Sequence, residues 1–381
     1  MRIISLSLII LLSVSLETTH AQVWKLHTID ASSRGADGVR LGDINQDGLP
    51  DITTGWEEGG QIRVCLHPGH NKATEKWPSV TVGKVKSPED AVFADIDGDG
   101  LLDVVSCCEG NQQTVNLHFN PGTSELLAPD KWRTQIVDAT AKKSRWMFCA
   151  PMKARQQTVF VLGSKKPNAQ ISLLDAQKSP AMISKIRDCG WIMSVRLLDL
   201  DHDGDLDILY SDRYGDRRGI GWLETPNARS VGFRDHFIFG SDLQVMFLDA
   251  AQVEKRWNIF ANTRDGFVLH LAQAVNGEWK PVRIPHPKGT GQGKGVAAGD
   301  LDGDGDLDLA CTCEHAEGLV GAFWMESVDG LWKFHDVSGA KQGIKYDRIE
   351  LIDLDGDSDL DLLTCEERDN LGVIWYENPL K

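Results

Sequence analysis

Beyond residue 21 the chain has no long apolar run, no sustained 3.6-residue period and no excess of basic side chains. The first absence leaves no segment of the roughly 20 apolar residues that a bilayer-spanning helix needs. The second argues against a helical fold. The third argues against nucleic-acid binding, because Lys and Arg total 40 against 56 Asp and Glu, a formal charge of −16. Zinc spacing is missing too: Cys65, Cys107, Cys108, Cys149, Cys189, Cys311, Cys313 and Cys365 form no CxxC pair. Most of these thiols fall on apolar strand ends, which reads as buried small hydrophobes, with a Cys313–Cys365 bridge as the alternative. HExxH and a nucleophile elbow are also absent.

The one apolar run, residues 3–16, follows Met1 and Arg2 and precedes Thr19, His20 and Ala21. A basic start, a short apolar stretch and small residues at the cleavage positions predict a signal peptide over 1–21. The expected mature chain is then 22–381, exported to periplasm or medium, with disulfides chemically permitted.

Those residues repeat. Five nine-residue segments share one spelling, starting at Asp43, Asp95, Asp199, Asp300 and Asp353, at separations of 52, 104, 101 and 53 residues. The long gaps are double periods, and each hides a unit without aspartates, one near Arg145 and Trp146, the other near Gln244. That makes seven units of about fifty residues, each reading as four short strands between Gly, Pro and Asn. The expected fold is all-β, one seven-bladed β-propeller of four-stranded blades over 22–381. Strand spellings that open on Trp77, Trp132, Trp279 and Trp332 recur at Trp24, while the C-terminus stops after a third strand. The N-terminal strand should therefore complete the last blade and leave no open edge.

The acidic segments place oxygen ligands at positions 1, 3, 5 and 9. They are Asp43, Asn45, Asp47 and Asp51; Asp95, Asp97, Asp99 and Asp103; Asp199, Asp201, Asp203 and Asp207; Asp300, Asp302, Asp304 and Asp308; and Asp353, Asp355, Asp357 and Asp361. Alternate carboxylates with a turn glycine at position 6 suit a hard cation, and oxygen-only donors favour calcium. About five structural calcium ions are expected. An EF-hand would carry Glu at position 12, where Thr54, Ser106, Tyr210, Cys311 and Thr364 stand instead. Setting the nineteen loop aspartates aside leaves 37 acidic residues against 40 basic ones, so the excess charge lies in the loops. Ser358 replaces the turn glycine of the last loop, and Asn45 removes a charge from the first.

This spelling resembles the FG-GAP/VCBS repeat family, which includes the propeller of integrin α chains. The resemblance covers nearly all of 22–381. It implies a calcium-binding propeller whose ions sit at one face and tie strands together. Adhesion proteins, lectin-like modules and enzymes all use the family, so the resemblance alone assigns no activity.

Function should then lie at the opposite face and in the channel. Six residues past the last loop aspartate lie Glu57, Glu109, Ser164, Arg213, Arg264, Glu314 and Glu367, with blades 3 and 5 aligned by eye. Five or six before the first lie Asp37, Glu89, Asp90, Arg145, Gln244, Lys294, Asp347 and Arg348. Trp56, Trp146, Trp191, Asp212, His315, Tyr346, Glu366 and Arg368 are neighbours in sequence. Carboxylates, guanidiniums and aromatics at one mouth suit a polyhydroxylated or anionic extracellular sugar, or a protein ligand, although a merely solvated rim has the same composition. A lyase or sugar dehydratase is the enzymatic alternative. It would use His315 or Tyr346 as base and Arg213, Arg264 or Arg348 to hold a carboxylate. A glycosidase with paired carboxylates is a third reading.

Overall fold

The computed structural model describes residues 24–154, 157–226 and 232–380. The signal peptide expected over 1–21 lies outside them. Twenty-eight strands form seven four-stranded antiparallel sheets, and no α-helix occurs among the described residues. Nor does any described helix have the length and apolarity to cross a membrane.

Each sheet is a blade, with strands in sequence order from the channel outwards except in blade 7, whose outer strand comes from the N-terminal end. The inner strands are Ala36–Gly42, Pro88–Ala94, Arg145–Ala154, Ile192–Leu198, Val245–Val253, Gln292–Gly299 and Tyr346–Ile352, for blades 1 to 7. The acidic loops join first to second strands in blades 1, 2, 4, 6 and 7. Blades 3 and 5 instead extend that connection as long hairpins, Arg145–Ala154 with Gln157–Lys165 and Val245–Val253 with Arg256–Thr263. The two units hidden in the double periods are these blades.

The core lies between blades. One cluster packs Ile52 and Trp56 of blade 1 against Leu363 and Trp375 of blade 7, all fully buried. Flat sheets stacked around an axis bury both faces, which is why the second strands, such as Asp103–Cys108 and Asp361–Glu366, are buried at every residue. All eight thiols are free and seven are buried. The Cys313–Cys365 bridge does not form: the two sulfurs belong to different core clusters.

Closure follows the expectation from the repeated Trp spelling. Lys25–Asp30 pairs with Gly372–Glu377 as the outer strand of blade 7. His27 stacks on Trp375 at 4.6 Å and bonds Glu377 at 2.6 Å. Asp30 accepts Arg63 Nε of blade 1 at 2.5 Å, so the closing strand also ties the first blade to the last. The same Trp, Glu and outer-strand His set recurs as Trp222, Glu224 and His236, and as Trp324, Glu326 and His335.

Candidate functional site

The two ends of the channel differ in chemistry. At the loop end, aspartates at positions 1, 3 and 5 accept backbone N–H groups within their own loop, as when Asp199 accepts Asp203 N at 3.1 Å and Gly204 N at 3.1 Å. Position 6 is left-handed in all five loops, at φ 88° for Gly48 and 75° for Ser358, so serine adopts the glycine conformation there. Position 9 is foremost a clamp. Asp207 accepts Leu200 N at 3.0 Å and Thr225 N at 2.9 Å, joining the loop to the strand end two strands away, and its four counterparts do the same. Burial, opposed by those N–H groups, raises these carboxyls to about 6 in Asp51, Asp103, Asp207 and Asp308 and to about 8 in Asp361.

Loops of this build fit a hard cation. In blades 2, 4 and 6 one oxygen from each of positions 1, 3 and 5 lies within 4.8 Å of the others. Asp355 Oδ1 in blade 7 is buried without a hydrogen-bond partner, as an oxygen meant for an ion would be. The donors are oxygen alone.

At the other end a β-bulge shapes the mouth. In all seven blades the pairing of first and second strands slips near the start of the inner strand. Residues skipped by the ladder are re-aimed inwards. Glu89, Met147, Met193, Met246, Phe247, Lys294 and Asp347 are such residues, and all line a cavity of about 170 Å³. Asp37, Glu57, Glu109, Phe148, Lys165, Trp191, Arg213, Glu314 and Lys345 complete it. An adjoining cavity of about 380 Å³ shares Trp191, Arg213, Glu314 and Lys345 and adds Tyr214, Arg264, His315, Ile344 and Arg368. One further cavity of about 540 Å³ lies between the blade 2 loop and the blade 3 hairpin, with Asp95, Lys153, Gln157, Thr158 and Gln177 in its lining.

Of the residues picked from sequence, the mouth gathers Asp37, Glu57, Glu89, Glu109, Trp191, Arg213, Arg264, Lys294, Glu314, His315, Asp347 and Arg368. Glu367 is buried beside it, paired with Lys345. Others lie elsewhere. Trp56 and Trp146 are core side chains. Tyr346 is buried, its hydroxyl bonded to Tyr376 at 3.0 Å. Glu366 is buried and accepts five backbone N–H groups, from Ile344, Lys345, Arg368, Asp369 and Leu371. Asp212 is buried against Arg187 at 3.0 Å. Asp90 and Arg348 sit deeper in the channel, in a tier of ion pairs made by Arg40 with Asp90, Arg196 with Asp249, and Arg348 with Glu350. Arg145 is exposed, and Gln244 accepts the Tyr214 hydroxyl at 3.0 Å.

Blade 3 is a correction of one residue. Ser164 is buried and bonds Gln170 O at 2.9 Å, while the neighbouring Lys165 reaches the mouth and pairs with Glu109. Successive strand residues face opposite ways, so a slip of one exchanges core for channel. The three methionines were not picked, although Met193 stands at the same repeat position as Asp37, six residues before a loop.

Charge at the mouth is mostly paired. Lys294 pairs with Asp347, and Arg264 pairs with Glu314 at 2.9 Å and bonds Gln292 at 2.7 Å. Burial opposes the Lys294 charge, but Asp347 and Asp37 hold the ammonium protonated. Arg213 differs. It is 5% exposed, makes no ion pair with a described carboxylate, and its Nε has no hydrogen-bond partner. Its guanidinium lies over the rings of Trp191, at 4.7 Å, and Tyr214, at 4.9 Å. Burial and then Arg264 lower its pKa. Trp191 Nε1, in the same cavity, is likewise buried without a partner.

The arrangement defines a class: a closed seven-bladed propeller with acidic loops at one end and a charged, aromatic mouth at the other. Residues 43–106 and 256–311 match the FG-GAP-like repeat, and with the seven-bladed architecture this puts the chain in the FG-GAP repeat propeller family. No curated protein sequence matches. Among solved structures the chain resembles one from the crystal structure of BBS1N in complex with ARL6DN, soaked with mercury, at 11% identity and a TM-score of 0.55. The match covers 94% of this chain and 97% of that one. Likeness at that identity concerns the fold.

Proposed function

We propose that the chain is an exported, calcium-loaded binding propeller that takes a glycan at the mouth opposite the acidic loops. The observation carrying this reading is the pair of unpartnered buried donors, Arg213 Nε and Trp191 Nε1, beside an exposed route to solvent. Buried polar groups normally find partners, and a missing partner in a cavity marks where a ligand group belongs. The larger cavity falls within the roughly 300–1,000 Å³ of small-molecule sites. Glycan-array binding that is lost in Trp191→Ala supports the reading. Binding untouched by changes at the mouth refutes it.

A lyase or dehydratase is the second reading, favoured by His315. That residue holds a left-handed φ of 53° at the same cavity as Arg213 and Arg264. With Tyr346 buried away from the cavity His315 is left as the base, and with Arg348 deeper in the channel Arg213 and Arg264 are left to hold the carboxylate. An acidic polysaccharide would then give an unsaturated product detectable by absorbance, and His315→Ala would abolish turnover while sparing affinity. A pure binding module gives no such product, and the substitution changes affinity only modestly.

A further inference from the structure

The mouth is electrically lopsided. On the wall of blade 4, Arg213 makes no ion pair with any described residue, whereas Arg264 of blade 5 is held by Glu314. Across the opening, blades 1 and 2 present Glu57 and Glu89, which are also outside every ion pair among the described residues, while Glu109 is satisfied by Lys165. An uncompensated cation and uncompensated carboxyls thus stand across one opening.

Arg213 is prepared for an oxyanion in a specific way. Trp191 and Tyr214 pack side by side against its guanidinium, their ring centroids 5.6 Å apart, and leave its Nε without a hydrogen-bond partner. What remains is the in-plane edge, whose N–H groups match a carboxylate or sulfate with two parallel bonds. Trp191 Nε1 adds a third donor at the same cavity. An anion seated there restores charge balance to a buried cation, which otherwise bears its desolvation cost alone.

Resting on the reading of the mouth as a ligand site, we infer that it is a dipolar receptor for a sugar-sized ligand with one anionic end. That end, a carboxylate or a sulfate ester, sits against Arg213. The Glu57 wall accepts hydroxyl groups and repels a second anion. Burial, and then neighbouring carboxylates such as Glu109, already raise the Glu57 carboxyl, so an added negative charge there is unfavourable.

Calorimetric titration of the full mature protein at neutral pH tests this with four probes. Galactose, galacturonate and galactarate share one carbon skeleton and carry no, one and two carboxylates, and galactose 6-sulfate separates sulfate from carboxylate as the anion. The expected order has galacturonate or the sulfate ester binding about tenfold more tightly than galactose, the weight of roughly 1.4 kcal/mol. Galactarate should fall below galacturonate. Arg213→Gln should erase the preference for the anion, and Glu57→Gln should raise affinity for galactarate. If Arg213→Gln does not fold, the Glu57→Gln variant carries the test. Galactose binding as well as galacturonate, or galactarate binding best, overturns the inference and leaves the mouth as a binding site. Failure of all four probes to bind overturns both readings.

Discussion

Asp212 accepts the backbone N–H of Trp191 at 2.9 Å while its other oxygen takes Arg187 Nη1 at 3.0 Å. It also accepts Gly190 N at 3.1 Å. A residue adjacent in sequence to the mouth therefore acts beneath it, fixing the turn that holds the Trp191 ring under Arg213. Arg187 and Asp212 are both nearly inaccessible, at 2% and 0% of side-chain surface. Asp212→Ala leaves a buried guanidinium with Asp235 at 3.1 Å as its one remaining carboxylate and the Arg217 carbonyl at 2.7 Å. Breaking a buried pair from one side costs about 3–5 kcal/mol. Denaturant unfolding should show a loss of that size, reduced towards the lower end by Asp235. A loss under about 1 kcal/mol, the ordinary weight of an exposed pair, contradicts this placement.

Chelation should destabilise the fold. Calcium bound to the native loops and not to the unfolded chain stabilises by mass action, by about 2.7 kcal/mol per site at a hundredfold excess over Kd. Chelator should lower Tm by many degrees, and added calcium should restore it. Asp201→Ala should remove one site and leave the rest, read as one fewer ion by elemental analysis. A melt indifferent to chelator would end the structural role assigned to calcium.

The closing strand carries its own prediction. Deleting Lys25–Asp30 uncovers the edge of Gly372–Glu377, strips the stacking partner from Trp375 and removes the carboxylate held by Arg63. The shortened chain should aggregate or melt early, because an uncovered strand edge recruits other chains. Light scattering and a melt identical to the parent's would show that the seam is held elsewhere.

Glu89 gives a pH signature. Burial raises its carboxyl from 4.5 to about 8; Lys165 opposes this, while Glu109, Glu57 and Asp347 add to it. The folded state then holds a proton that the unfolded chain has released, so stability falls as pH rises from about 4.5 to about 8. Glu89→Gln should flatten that decline and raise Tm at pH above 8 relative to the parent, with little change near pH 4. A variant whose Tm tracks the parent across the range refutes the shift.

The sequence carried the repeat more clearly than the mouth. Seven units, two of them without aspartates, follow from spacing alone, and the Trp24 spelling anticipates the strand that pairs with Gly372–Glu377. Positions counted from the loops, such as Glu57 and Arg213, also reach the mouth. Counting fails where local geometry intervenes. Blade 3 has no acidic loop to count from, and its ladder puts Lys165 rather than Ser164 at the position of Arg213; the bulge brings Met147, Met193 and Met246 to the channel wall while they stay packed in a buried cluster. Partner choice is equally silent in a sequence. Arg213 and Arg264 occupy the same repeat position, yet only Arg264 has Glu314 beside it. Likewise Glu366 looks like a rim acid until its five backbone partners are seen.

Bulge residues take no part in the ladder that holds each blade together. Their side chains are therefore released from the ladder's alternation, although Met147, Met193, Met246 and Phe247 remain packed in one buried cluster. Across the seven blades those positions already hold glutamate, aspartate, lysine, methionine and glycine on one scaffold. The mouth thus behaves as a short text written in seven largely independent letters, one or two to a blade. Selection, or a designer, can revise that text to change what the propeller recognises while the ladder's hydrogen bonds stay in place.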